Sequence, residues 1–155
     1  MVGQTEIPLA FKDYLQQRSE IVAAYLFGSV AAGNAHKFSD VDVALLLADG
    51  VAPKQASDLR LEAMGEAEAA FARRADVAVL NTSPLVFCYL TLKHGRLIFD
   101  RGLPQRPEFE AKVYVAYFDL KPYLEDYDTA MFKRVKERGL GYGYSKTARA
   151  AAKTK

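Results

Sequence analysis

Residues 28–47 read GSVAAGNAHKFSDVDVALLL, and this stretch decides the fold. It follows an apolar run over residues 21–27, which predicts a strand that ends in a turn at Gly28-Ser29. The alanines that come next permit a short helix that starts at Ser29 or Val30. The apolar run over residues 41–47 predicts a second strand, which ends before a turn signal at residues 49–50. The stretch therefore predicts a strand, a turn, a short helix and another strand.

Two carboxylates, Asp40 and Asp42, lie at the start of the second predicted strand. Side chains alternate along a strand, so the two acids share one face while Val41 and Val43 share the other. Neighbouring carboxylates repel each other, and such a pair needs a cation or open water. Mg²⁺ prefers hard oxygen ligands of this kind and completes its shell with phosphate and water. The pair therefore predicts a magnesium site.

Gly28 and Ser29 predict a phosphate site close to these acids. A glycine lets the backbone approach a phosphate closely, and the serine can donate from its N–H and its hydroxyl. Asp76 opens a third predicted strand over residues 77–80 and is a candidate third carboxylate. Three carboxylates can hold two Mg²⁺ ions about 3.5–4 Å apart, which is the clamp used for in-line displacement at phosphorus. The residues thus point to a metal–triphosphate site.

The remaining elements extend outward from this centre. Apolar spacing predicts a first helix over residues 6–18 and another from Pro53 to about Arg74. Ser83-Pro84 predicts the N-cap and first residue of a helix that stops at Gly95, and residues 96–99 predict an edge-like strand. Cys88 falls among apolar residues of that helix and is predicted to be a small buried side chain.

One apolar seam runs along a long predicted helix, or a pair of helices, over residues 107–138. Its members are spaced by three or four residues: Val113, Tyr117, Leu120, Leu124, Tyr127, Met131 and Val135. Pro122 lacks a donor N–H, so a kink or break is expected there. The seam fits either of two roles, packing against the sheet or forming a surface for an oligomer or partner.

Composition sets the protein class. The 155 residues, half of them apolar, fit one folded domain over 1–138, followed by a flexible basic tail over 139–155. One Cys and two His cannot build a zinc cage, no apolar run is long enough to span a bilayer, and no secretion signal is seen, so we expect a cytoplasmic protein. The net charge of +2 hides a basic end, because residues 133–155 hold eight Lys and Arg against one acid. This tail is either a solubilising end or an arm for an acidic partner or its RNA.

The chain resembles a known family at the stretch from Gly28 to Asp42, which matches a G-S-x10-D-x-D signature. This is the signature of the minimal nucleotidyltransferases (MNT) of the DNA polymerase β-like superfamily. The resemblance extends through RRADVAVLN to YFDLKPYLEDYDTAMFKRVKERG, which is similar to the C-terminal helix of the antitoxin branch of HEPN/MNT toxin–antitoxin pairs. It implies an α+β fold, with a small mixed β-sheet, helices packed on one side and a long C-terminal helix.

The resemblance also implies an activity. Proteins of this branch transfer AMP from ATP to a tyrosine of a HEPN-domain RNase toxin, sometimes several times in series, and so silence the toxin. It implies that Gly28 and Ser29 bind the triphosphate, that Asp40 and Asp42 bind Mg²⁺, and that Asp76 is a third ligand or the base. The partner is then a HEPN toxin in a hetero-oligomer, with no membrane contact and nucleic acid bound only indirectly or through the tail.

Two other functions remain open at the level of sequence. A small-molecule nucleotidyltransferase of the antibiotic-modifying kind has the same signature, although a small acceptor needs a pocket for which a short chain has little room. A non-enzymatic antitoxin would neutralise its toxin by binding alone, through the seam and the tail.

Overall fold

The computed structural model describes residues 6–33 and 39–138 of the chain. The strands are β1 (Ile21–Phe27), β2 (Val41–Leu47), β3 (Ala75–Val79) and β4 (Arg96–Asp100). The helices are α1 (Leu9–Gln17), α2 (Gly28–Ala31), α3 (Pro53–Phe71), α4 (Leu85–His94) and α5 (Gln105–Arg138), with a 3-10 turn at Leu80–Thr82. The chain forms two compact units, Met1–Tyr117 and Phe118–Lys155.

The four strands form one mixed sheet in the order β3-β2-β1-β4. Strand β1 is antiparallel to both of its neighbours, β2 and β4, whereas β3 is parallel to β2. The predicted α+β class and mixed sheet are confirmed, and β4 is at an edge as its sequence indicated. The parallel β2–β3 pair is joined through α3, as a parallel connection requires a crossover.

Both faces of the sheet are covered, which corrects the expectation of helices on one side. On one face, the buried residues Phe11 of α1 and Leu59 of α3 belong to the same core cluster as Val43. On the other face, Tyr89 of α4 and Val113 of α5 cluster with Leu46. The reason is the composition of the central strands: every residue from 21 to 26 is apolar and buried, so neither face of β1 can be left in water.

Two helix boundaries differ from the sequence-based expectation. Helix α1 is shorter than predicted and begins after Pro8. Helix α4 begins at Leu85 with Pro84 at the N-cap position and no side-chain cap, because the Ser83 hydroxyl donates instead to the carbonyl oxygen of Val79 at 2.7 Å. Ser83 therefore closes the turn after β3 rather than capping the helix.

Helix α5 runs without a break from Gln105 to Arg138, so the break considered at Pro122 does not occur. Its first part belongs to the Met1–Tyr117 unit, where Val113 is buried and the ring of Tyr117 stacks on Tyr89 at 3.5 Å between centroids. Core packing is thus confirmed for this part of the seam. The predicted basic tail lies outside the described residues, and none of the described helices is long and apolar enough to cross a membrane.

A partly buried polar contact connects α5 to the sheet. The Tyr25 hydroxyl donates to Glu110 at 2.6 Å, and Glu110 also pairs with Arg106 at 2.9 Å. Tyr25→Phe removes only this hydroxyl, so we expect a loss of about 0.5–1.5 kcal/mol of unfolding free energy in urea titration. Tyr123→Phe is the control, since that ring is exposed in α5. Equal unfolding midpoints for the two variants would contradict the importance of the Tyr25 contact.

Candidate active site

The first part of the site is the junction between β1 and α2 at Gly28. This residue has a backbone φ of +71°, in the left-handed region that favours glycine. Phe27 pairs with Asp42 across β1 and β2, so Gly28 lies directly beside the Asp42 side chain. A Cβ at residue 28 would overlap with Oδ2 of Asp42 and lie 3.1 Å from its Cγ. Glycine is therefore required both by the backbone conformation and by the close approach of the carboxylate.

The carboxylates predicted from the sequence come from adjacent strands. Asp42 of β2 and Asp76 of β3 are direct partners in the parallel register, and Asp40 lies just before β2. Asp40 and Asp76 are exposed, whereas Asp42 is half-buried. Ser29 follows Gly28 in α2 and is also half-buried. The structure therefore brings Gly28, Asp42 and Asp76 together across three neighbouring strand ends.

The electrostatics of Asp42 reflect this crowding. Partial burial raises the pKa of its carboxyl above the usual 3.8, and the negative charges of Asp76 and Asp40 raise this pKa further. A raised pKa means that the folded protein holds this proton more tightly than the unfolded chain. The ionised carboxylate therefore costs folding stability at neutral pH, and this cost disappears as the pH falls below about 3.8. A cation bound at the site would offset the same cost.

Asp76 is held by contacts at the free edge of the sheet. Its Oδ1 accepts from the N–H of Val77 at 2.9 Å and lies 3.5 Å from a guanidinium nitrogen of Arg60 in α3. The Nε of Arg60 donates to the carbonyl oxygen of Val77 at 2.5 Å. Arg60 thus reaches around the edge strand and pairs with the third predicted carboxylate.

The carboxylates Asp40, Asp42 and Asp76 are ligands of the kind that divalent cations prefer. They are not arranged as a closed metal site. Among residues 6–33 and 39–138, no three His, Cys, Asp or Glu side chains are arranged as such a site. Oδ1 of Asp76 contacts Val77 and Arg60 at the sheet edge. Burial, followed by the charges of Asp76 and Asp40, raises the pKa of Asp42, and a bound cation would favour its ionised form.

A comparison with protein families identifies the fold that this site belongs to. Residues 10–102 match the family described as Polymerase beta, Nucleotidyltransferase. The chain belongs to this nucleotidyltransferase family. The match covers β1 to β4 and includes Gly28, Ser29 and the three carboxylates, so the superfamily inferred from the signature is confirmed.

Solved structures share the fold of this nucleotidyltransferase. A toxin–antitoxin structure with AMP-PNP matches with a TM-score of 0.63 and 23% identity, over 79% of this chain and 96% of the matched chain. The MntA–HepT toxin–antitoxin matches with a TM-score of 0.56 and 21% identity, over 77% and 92%. The same four values apply to a tri-AMPylated Shewanella oneidensis HEPN toxin in complex with MNT antitoxin. A search of curated proteins gave no significant match.

Arg60, which contacts Asp76, was not among the residues predicted from the sequence. A signal was available, because Arg60 lies four residues after Ala56 and three before Ala63, on the predicted apolar face of α3. A cation on such a face needs a partner. Conversely, His36 and Lys37, in the spacer between Ser29 and Asp40, lie outside the described residues.

The contact between Gly28 and Asp42 gives a direct test of the site. Gly28→Ala should destabilise the fold through left-handed strain of about 1–2 kcal/mol and a further cost of about 1–3 kcal/mol for overpacking. It should also weaken binding of ATP with Mg²⁺, because Asp42 must move. Both effects are measurable by thermal unfolding with and without the nucleotide.

Gly50→Ala is the matched control for this experiment. Gly50 has a similar φ of +84°, but a Cβ there would meet no atom within 4 Å. Its variant should therefore show the backbone strain alone and unchanged nucleotide binding. If the two variants lost equal stability and bound ATP equally, Gly28 would have no special role beside Asp42.

Proposed function

We propose that this nucleotidyltransferase is an MNT antitoxin, which transfers AMP from ATP to a tyrosine of a cognate HEPN-domain toxin and thereby neutralises it. The observation that carries the proposal is the packing of Gly28 against Asp42, with Asp76 as its partner on the next strand. The fold shared with solved toxin–antitoxin structures supports this branch of the family. One relative carries a tri-AMPylated toxin, so we extend the proposal to several AMP groups added in series. We expect the reaction in the cytoplasm, where ATP and the toxin meet.

Gly28 and Ser29 are proposed to bind the triphosphate. The absence of a side chain at residue 28 lets the Asp42 carboxylate lie against the backbone, so a phosphate held by the N–H groups of Gly28 and Ser29 would lie next to that carboxylate. Helix α2 begins at Gly28, and the N–H groups at a helix start are oriented to donate to an anion. These donors would orient the α-phosphorus toward the carboxylates.

Asp40, Asp42 and Asp76 are proposed to hold Mg²⁺, with two ions as the family resemblance implies. Burial and the neighbouring charges of Asp76 and Asp40 raise the pKa of Asp42, and a cation that favours its ionised form is consistent with this assignment. When bound, Mg²⁺ would lower the pKa of the attacking hydroxyl and neutralise charge on the leaving group. The contact with Arg60 uses only Oδ1 of Asp76, so the other carboxylate oxygen is available to the metal.

The proposed reaction is an in-line displacement at phosphorus. The toxin tyrosine oxygen attacks the α-phosphorus of ATP, the bond from that phosphorus to the bridging oxygen breaks, and pyrophosphate leaves. The phenolic proton passes to Asp76 or Asp42. A phenol has a pKa of about 10, so it needs a base at neutral pH. Asp76, whose side chain is 70% exposed, is open to an acceptor from outside.

The second unit supports a protein partner. In helix residues 118–137 no side chain is buried, and several large apolar side chains are exposed: Tyr123, Tyr127, Met131 and Phe132. Exposed apolar clusters of this kind mark interaction surfaces. We propose that the seam in this unit, with the exposed rings beside it, contacts the HEPN toxin, which would give the hetero-oligomer that the family resemblance implies.

The activity is tested with the purified chain, Mg²⁺, labelled ATP and the HEPN toxin encoded beside its gene. We expect label on a toxin tyrosine, and Asp42→Asn should lower the rate by about 100-fold or more, the scale of losing one electrostatic group at a reaction centre. Without Mg²⁺ the same variant should be more stable than the wild type, because it removes an ionised carboxylate that costs stability. Each kcal/mol gained would raise the melting temperature by about 2–4 °C.

Asp13→Asn is the control, as it removes an exposed carboxylate in α1. It should change neither the transfer rate nor the melting temperature. An unlabelled toxin would reject the enzymatic proposal. If Asp40→Asn/Asp42→Asn then still rescued toxin-expressing cells, the non-enzymatic antitoxin would be the better description. Label on a small-molecule acceptor instead would favour the antibiotic-modifying alternative.

The partner surface is tested with Tyr127→Glu, which puts a charge on a 61% exposed ring of the seam. We expect the dissociation constant for the toxin to rise about tenfold or more, since truncating a central aromatic contact costs about 2 kcal/mol. Thr129→Glu is the control, because residue 129 lies on the opposite face of the helix. Equal affinities of both variants and wild type would exclude this face from the interface.

A further inference from the structure

A groove of about 400 Å³ lies beside Asp76, along the free edge of β3. Residues from α3, β3 and the turn after β3 line it, among them Ser57, Arg60, Val77 and Thr82. Arg60 is the cation among the described residues that line the groove. Asp76, the third carboxylate of the site, and the guanidinium group of Arg60 therefore both line the groove.

The order of the strands indicates whether the groove faces ATP or the acceptor. Gly28 lies at the end of β1, Asp42 in β2 and Asp76 in β3, so the three follow one another across adjacent strands. The proposed triphosphate residues are at the β1 side of Asp42, and the groove begins on the far side of Asp76. ATP bound at Gly28 and Ser29 would not occupy the groove. The groove thus stays available to the group that attacks ATP.

The groove is unsuited to an added β-strand, although β3 is an edge strand. The outward carbonyl of Val77 already accepts from Arg60 at 2.5 Å, and that of Val79 accepts from Ser83 at 2.7 Å. An incoming strand would have to displace both bonds, which is a common way to protect an edge. Recognition in the groove must therefore use side chains, and Arg60 is the charged one available beside Asp76.

The charge of the acceptor changes in serial transfer. The first acceptor is a neutral phenol, but every later acceptor carries the phosphodiester of an AMP already attached. That anion must enter beside three carboxylates, where it is repelled. A guanidinium binds phosphate through paired N–H donors, and the two contacts observed for Arg60 use only two of its five N–H groups.

We propose that this groove is the acceptor site for the adenylylated tyrosine, and that Arg60 binds the phosphate of the AMP already attached. The inference rests on the proposed function. In the second step a ribose hydroxyl of the attached AMP attacks the α-phosphorus of a new ATP. The bond to the bridging oxygen breaks, pyrophosphate leaves, the hydroxyl proton passes to a site carboxylate, and a new phosphodiester forms. Arg60 is thereby a determinant of how many AMP groups are added.

The test follows the number of AMP groups on the toxin by intact-mass spectrometry over time. Arg60→Gln should lower the ratio of later to first transfer rates by about 10- to 100-fold, as expected for losing one hydrogen bond to a charged group. Arg60→Lys keeps the charge but loses the paired donors, so its ratio should be intermediate. The ratio is the readout because a merely structural change at Asp76 would slow all transfers alike.

Lys54→Gln is the matched control, since it removes one positive charge from the same helix at a side chain that is 91% exposed. It should leave the ratio unchanged. A first transfer that slows in proportion to the later ones in Arg60→Gln would overturn the inference. A wild-type protein that adds only one AMP would overturn it while leaving the proposed function intact, whereas an unlabelled toxin with wild-type protein would remove both.

Discussion

The register between β1 and β2 is the constraint on which the rest of the site depends. It pairs Phe27 with Asp42 and thereby brings the Gly28 backbone against the Asp42 carboxylate. A slip by one residue would turn Asp42 toward the core face occupied by Val41 and Val43, where an unpaired carboxylate is very costly. The buried valines on either side of Asp42 thus fix the position of the acid, and the parallel pairing with β3 then fixes Asp76 beside it.

Within a few residues of β2, buried valines stabilise the fold and one ionised carboxylate destabilises it. Val41 and Val43 are buried and hold the strand rigidly, while Asp42 between them carries a charge that the fold disfavours. A site built on buried strands positions its groups more accurately than a loop would, and it keeps the repulsion that makes cation binding favourable. Arg60 pairs with Asp76 at the sheet edge.

The sequence was most informative where local pattern and global packing agree. The apolar runs of β1 and β2, the glycine turn and the carboxylate spacing all follow from residue pattern and backbone chemistry, and the structure brings Gly28, Asp42 and Asp76 to neighbouring strand ends as they predicted. The unbroken apolar run of β1 implied that both faces of the sheet are buried. The expectation of helices on one side came instead from the family resemblance. Arg60 was not predicted because it acts through a contact between α3 and β3. The two residues in contact, Arg60 and Asp76, are sixteen positions apart in sequence, and periodicity does not encode such a contact.

The apolar seam of α5 is a second case in which periodicity does not predict the contacts that a residue makes. Its spacing is uniform, yet Val113 is buried within the first unit whereas Tyr127 is exposed in the second. Periodicity states that a helix face is apolar and says nothing about what covers it. In the proposed function, the exposed part of that face and the groove beside Asp76 would have different roles. The helix would hold a protein acceptor, and the groove would determine which group of that acceptor, a phenol or an attached nucleotide, reaches the carboxylates.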